Sequence, residues 1–200
     1  MEVDSSGGNR TDYKVVQKII SLRPVYEIYD ESTGEKVAIA RQTWLSFLRS
    51  TIHMEDLTGN RILTAKGGFF DKTFHLLDES GQPIAKLTRP WIALRKNFTI
   101  QYRDEMIKSQ GGYLAWGFEA YSNSGHFAFR LDKKILSVRD QFRVSVGEFM
   151  DWSHAVASAL VVDRVFFKGK SCMGRLICCC LPLIIILFTF TILLAMLGSP

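Results

Sequence analysis

A mainly β, antiparallel domain with an apolar helix buried inside it, followed by a C-terminal transmembrane helix, is what this 200-residue sequence predicts. Three observations carry that expectation. Four hairpin-like units are punctuated by glycines at regular intervals. One helix-signalled stretch is apolar nearly all round. A final run of twenty-five residues, Leu176 to Pro200, carries no charge. The chain without that run is about 170 residues, enough for one ordinary domain with its own core.

The hairpin units share one pattern. YEIYDESTG ends at Gly34, IHMEDLTG at Gly59, FHLLDESG at Gly81 and FEAYSNSG at Gly125. Each is an alternating strand, an Asp- or Ser-led turn, a glycine and a second strand. Asp, Asn and Ser side chains close turns onto their own backbone, and Gly takes the positive φ such turns need. The glycine gaps are 25, 22 and 44, the last twice 22. A further hairpin is therefore expected in the long gap, built from strands Phe98–Arg103 and Tyr113–Glu119 joined through Asp104 to Gly112. Strand pairs at even spacing indicate an antiparallel barrel or sandwich.

Ser145-Val146-Gly147-Glu148 has the form of a capping box and predicts a helix over about 146–163. After Asp151 its polar positions up to Val162 are Ser153, His154 and Ser158. A helix apolar on every side is buried on every side, in lipid or inside a barrel. The run Trp152–Val162 is short for a bilayer span, and its small residues suit close packing, so a helix threaded through the barrel is expected. His154 is read as a hydrogen-bonded core residue.

The uncharged run has the length of a membrane span. About 20 apolar residues at 1.5 Å rise cross a core of about 30 Å. Leu181–Leu197 holds twelve Leu, Ile or Phe residues. Each contributes about −0.3 to −0.6 kcal/mol to insertion, so the segment favours lipid by several kcal/mol. A transmembrane helix over 176–197 is expected, preceded by a basic, Cys-containing juxtamembrane segment, 168–180. Lys168, Lys170 and Arg175 precede the span and no basic residue follows it. Basic flanks stay cytosolic, so a single-pass, tail-anchored protein with its domain in the cytosol is expected. The N-terminus has no apolar h-region, so no signal peptide is expected, and residues 1–12 read as a disordered arm. The span alone does not distinguish endoplasmic reticulum, Golgi and plasma membrane.

All four cysteines lie near the span: Cys172, Cys178, Cys179 and Cys180. A disulfide framework is therefore not expected in the domain. Cys178, Cys179 and Cys180, beside basic residues, fit S-palmitoylation or simple apolar filling. Adjacent cysteines lack zinc-site spacing.

Net charge is +5, a modest excess that suits an anionic membrane surface better than nucleic acid. The four histidines are isolated in sequence, and no nucleophile-elbow, zincin or P-loop pattern occurs. No catalytic residue, metal site or cofactor is expected. The segment 86–103 holds five basic residues and no acidic one: Lys86, Arg89, Arg95, Lys96 and Arg103. They are the candidate lipid-binding residues, since Arg and Lys recognise phosphate, with Trp91 suited to the interface. A solvated strand face is the alternative.

The hairpins YEIYDESTGE and FHLLDESGQPIAKL, together with the apolar stretch EFMDWSHAVASALVVD ending at Asp163, resemble the tubby-like superfamily. That superfamily includes tubby C-terminal domains, LURP-one-related proteins and phospholipid scramblases. The resemblance covers about Val15 to Phe167 and implies a domain over 13–167. It implies a closed barrel of about twelve strands around a central helix, and phosphoinositide binding through basic wall residues. The sequence departs from the scramblases in lacking a long Pro-rich N-terminus and in placing its Cys cluster at the span. Asp132, Asp140, Glu148 and Asp151 are too irregularly spaced for a Ca²⁺ loop. The leading expectation is therefore a tail-anchored domain that binds anionic phospholipid. A scramblase-like lipid transporter and a membrane-tethered protein adaptor are the alternatives.

Overall fold

The computed structural model describes residues 10–18, 23–43, 50–68, 72–89, 97–110, 117–133 and 140–168. Twelve strands follow one another: β1 (Thr11–Gln17), β2 (Val25–Asp30), β3 (Lys36–Gln42), β4 (Thr51–Glu55), β5 (Arg61–Gly67), β6 (Thr73–Leu77), β7 (Pro83–Thr88), β8 (Thr99–Tyr102), β9 (Glu105–Gln110), β10 (Gly117–Ser122), β11 (Phe127–Lys133) and β12 (Gln141–Val146). Each pairs antiparallel with its sequence neighbours, and β1 pairs with β12 from Thr11↔Val146 to Val16↔Gln141. The sheet is thus a closed barrel with no free edge.

The alternation in each strand sets what faces the lumen. In β2 Tyr26 and Ile28 are buried while Glu27 and Tyr29 are half-exposed, and in β3 Ala38 and Ala40 are buried while Arg41 is exposed. Helix α1 (Trp152–Asp163) is buried without a break from Ala155 to Asp163. Trp152 stacks on Tyr13 of β1 at 5.3 Å, and His154 meets Tyr102 of β8 edge-on at 5.7 Å. β1 and β8 stand five strands apart in the barrel order, on roughly opposed walls, so the helix enters the lumen between them. Ala155, Ala157, Ser158 and Ala159 keep it slim, while Val156 and Leu160 each add about 1.5–3 kcal/mol of apolar burial.

The helix starts later than the sequence suggests. Ser145 is held in the sheet opposite Asp12 and Arg130, so the apparent capping box does not cap. Asp151 is the true cap. Its Oδ1 accepts the Ser153 N–H at 2.9 Å and the Ser153 hydroxyl at 2.6 Å, and its carbonyl accepts the Ala155 N–H at 2.9 Å. The chain divides into two units, Met1–Val161 and Val162–Pro200. The described part of the second holds the end of α1 and a short π-helical segment, Arg164–Lys168.

Five tight hairpins lie at one end of the barrel and the longer connections at the other; we call these the hairpin end and the loop end. Four hairpins are the glycine-marked units. In each, the glycine N–H donates to the carbonyl of the turn's leading residue: Gly34 to Asp30, Gly59 to Asp56, Gly81 to Asp78, Gly125 to Ser122. Each also carries a register shift beside the turn. The fifth, between β8 and β9, sits where a 22-residue step from Gly81 falls. Its partner strand is Glu105–Gln110, not 113–119, because the turn is only Arg103-Asp104. Arg103 takes φ 53°, the left-handed conformation that glycine takes in the other four.

Gly147, between β12 and α1, is fixed by space. A Cβ there would meet the Phe127 carbonyl oxygen and lie 2.8 Å from Phe127 Cδ1. Gly147→Ala is expected to destabilise the protein by about 1–3 kcal/mol. Denaturant unfolding of the full chain, followed by tryptophan fluorescence, checks this; an unchanged midpoint would contradict it.

Candidate functional site

Strands β5 to β8 contain no Asp or Glu. Their alternation buries Ala65, Gly67, Phe74, Leu76, Ala85 and Leu87 and leaves Lys66, His75 and Lys86 exposed on the outer wall. The register aligns these three in one row: Lys66↔His75↔Lys86, continuing to Gln101 and Met106. Strands lie about 4.8 Å apart, so Lys66 and Lys86 stand about 10 Å apart with the imidazole between them. A parallel row runs Thr73↔Thr88↔Thr99↔Lys108. Ammonium groups, an imidazole and hydroxyls on one carboxylate-free surface form an arrangement suited to phosphate oxygens.

The rest of the wall differs. Six of its cations are matched. Lys18 and Lys36 pair with Glu27 at 3.3 and 3.4 Å, Arg41 with Glu55, and Arg130 with Asp132 at 2.8 Å. Lys133 pairs with Asp140 at 3.0 Å and Arg143 with Glu31 at 2.8 Å. Burial opposes ionisation of Glu27, but hydrogen bonds from Lys18, Tyr29 and Lys36 outweigh it and lower its pKa. A groove of about 350 Å³ across β1, β11 and β12 is lined by charges of both signs, among them Lys14, Glu31, Lys133 and Arg143.

The sequence-based lipid-binding set is not brought together. Lys86 lies in the basic row. Arg89 follows β7 at the loop end, where its N–H donates to the Lys72 carbonyl at 2.9 Å. Arg103 lies at the hairpin end with its guanidinium 5.1 Å from the Tyr102 ring centroid. Five residues of strand, about 17 Å, separate these two positions along the wall. Arg95 and Lys96, with Trp91, lie outside the described residues, as do Lys170, Arg175, Cys178, Cys179 and Cys180. Lys168 closes the π-helical segment. Lys66, His75 and Lys108 were missed because they lie outside the 86–103 window or within its partner strands. Only the register joins them.

At the hairpin mouth, Tyr102 Oη and His154 Nδ1 are 3.1 Å apart, so the expected hydrogen bond is present, but the histidine is half-buried at the mouth rather than in the core. Burial lowers the His154 pKa; Asp151 opposes this and Arg103 adds to it. Nearby, the Ser124 hydroxyl donates to Glu105 Oε2 at 2.7 Å and lies 3.0 Å from His126 Nδ1. Carboxylate and imidazole both meet the hydroxyl, so this is not the nucleophile–base–orienter relay. Among the described residues no group of three or more His, Cys, Asp or Glu is placed to hold a metal. No helix among them is long and apolar enough to cross a membrane; the segment 176–197 lies outside them.

A closed twelve-stranded antiparallel barrel around a buried helix that follows the last strand is the fold of the tubby-like class. The profile of the LURP-one-related family matches residues 11–163, and the chain belongs to that family. An X-ray structure of a protein from Arabidopsis thaliana is similar over 79% of this chain and 92% of its own, with TM-score 0.56 and 14% identity. At that identity the likeness bears on the fold alone. Comparison with curated protein sequences gave no match.

The lowered His154 pKa fixes a sign. An unfolded histidine protonates near 6.5 while the folded one resists. Its contribution is therefore fully present above about pH 6.5 and is lost as pH falls below that value. The Asp151 pKa is also lowered, despite burial, by hydrogen bonds from Ser153, so its contribution is lost only in the more acid range below about 4. His154→Gln is expected to reduce the stability difference between pH 7.5 and 5.5 in parallel denaturant titrations. An identical pH dependence in both proteins would contradict it.

Proposed function

We propose that this LURP-one-related barrel binds anionic phospholipid, of phosphoinositide type, through the β5–β9 wall, and that it is tail-anchored and faces the cytosol. The carboxylate-free row Lys66–His75–Lys86, with Lys108 one row away, is the observation that carries the reading. A row of cations on strands β5 to β8, which hold no carboxylate, attracts a negatively charged surface more than cations already matched by carboxylates do. The uncharged run Leu176–Pro200 supports the anchor, and Lys168, Lys170 and Arg175 beside it support cytosolic placement. Palmitoylation of Cys178, Cys179 and Cys180 would strengthen that attachment. On this reading the protein is a binding module rather than an enzyme, needs no cofactor and does not take nucleic acid as a partner.

Each Lys near an anionic surface contributes about 1 kcal/mol. Lys66→Ala and Lys86→Ala are each expected to lower the preference of the full chain for phosphoinositide-containing over neutral vesicles about five-fold. Lys36→Ala, from the ion-paired wall, is expected to leave it unchanged. Co-sedimentation at physiological salt measures the ratio. An equal preference in wild type and both wall variants would refute the assignment.

A further inference from the structure

We infer that His75 couples the attachment of the β5–β9 wall to protons, so that the wall holds an anionic bilayer more tightly as pH falls from 7.5 to 6.0. The inference rests on the lipid-binding reading above and adds a regulation to it. The chain has four histidines, and three are engaged. His53 Nδ1 lies 3.1 Å from Thr64 Oγ1, His126 Nδ1 3.0 Å from Ser124 Oγ and His154 Nδ1 3.1 Å from Tyr102 Oη. His75 differs. It is exposed at the middle of β6, and among the described residues no hydrogen bond, ion pair or ring contact engages it.

The register sets this imidazole between two ammonium groups. Its cross-strand partners are Lys66 on β5 and Lys86 on β7, each one strand spacing of about 4.8 Å away. Both lysines are exposed, on strands without Asp or Glu. The other neighbours on this face are uncharged: Thr73 and Leu77 on β6, Thr64 on β5, Ile84 and Thr88 on β7. Along its own segment the nearest described charges are Lys72 and Asp78, three residues to either side and about 10 Å away. The screening length in physiological salt is about 8 Å, so the two lysines dominate its surroundings. Histidine is the side chain whose charge ordinarily changes between pH 5 and 8, whereas a lysine ammonium stays charged throughout that range. While the wall faces water, both lysines oppose a third positive charge in the row. Lipid phosphates laid against the row offset that repulsion and are attracted by the added charge. Docking therefore favours proton uptake at His75, and by reciprocity proton uptake favours docking. The lysines supply the attraction and the imidazole its pH dependence.

Co-sedimentation of the full chain with phosphatidylglycerol-containing and with neutral vesicles, at pH 7.5 and 6.0, tests this; the phosphodiester keeps its charge over that interval. One further charge near an anionic surface changes the preference about five-fold. Partial protonation at the two pH values makes the expected gain of the wild type about three-fold from pH 7.5 to 6.0. His75→Gln should come close to wild type at pH 7.5 and lose most of the gain. His75→Lys should reach at pH 7.5 the preference that wild type shows at pH 6.0. The side chain is exposed on the outer wall, so neither substitution enters the core. No gain in wild type, an equal gain in wild type and His75→Gln, or a His75→Lys chain no better than wild type at pH 7.5 overturns the proton linkage and leaves lipid binding standing. Absence of any preference for the anionic vesicles at both pH values removes the lipid-binding reading, and the linkage with it.

Discussion

The pairing of the first strand with the last holds the rest of the molecule in place. With β1 hydrogen-bonded to β12, the twelve strands close and every edge is satisfied. Closure at that strand number encloses more space than wall side chains fill, since about eight strands already give an interior that side chains just fill. The lumen must contain something else, and α1 is what it contains. The wall contributes alanines at Ala38, Ala40, Ala65, Ala85 and Ala120, and the helix contributes its own small residues. Each makes sense only in the presence of the other. Gly147 links them, because no side chain fits where the chain leaves β12 beside Phe127 and turns to enter the lumen.

Much of this was legible in the sequence. The D-x-x-G and D-x-x-x-G turns work because Asp and Gly act through local chemistry that no distant contact overrides, and the doubled 22-residue gap called for a fifth hairpin near its middle, though its connection was expected over 104–112 rather than at Arg103-Asp104. Its partner strand was misplaced because the sequence offers no glycine there, so the two-residue turn left no mark. The start of α1 was misread for the opposite reason. Ser145 and Glu148 have the right spacing for a cap, but the sheet holds Ser145 and the nearby Asp151 caps instead. The candidate site was the least legible part. A run of basic residues along the chain alternates and turns, and so scatters over the wall from Arg89 to Arg103. The row Lys66–His75–Lys86 comes from three different strands and exists only once the register is set.

The two halves of the wall show how the same residue types acquire different meanings. Lys36 and Arg130 lie next to carboxylates and contribute little beyond local order, as exposed ion pairs usually do. Lys66 and Lys86 lie on strands without a carboxylate, and their charge is not offset there. The chain's net charge of +5 does not reveal this, because a sum over the sequence carries no information about which strands the cations and carboxylates share.

Closure between Thr11 and Val146 also sets an order of events during synthesis. The strand made first cannot find one of its two partners until nearly all of the domain has been translated, and the lumen stays unfilled until Asp163 has followed. Up to then the nascent chain is an open meander with two bare edges and an uncovered apolar face, a form prone to mispairing. Local hairpins with self-closing turns let β2 to β11 fold pairwise while they wait. The final closure is then one long-range event, completed only once β12 and α1 have been made.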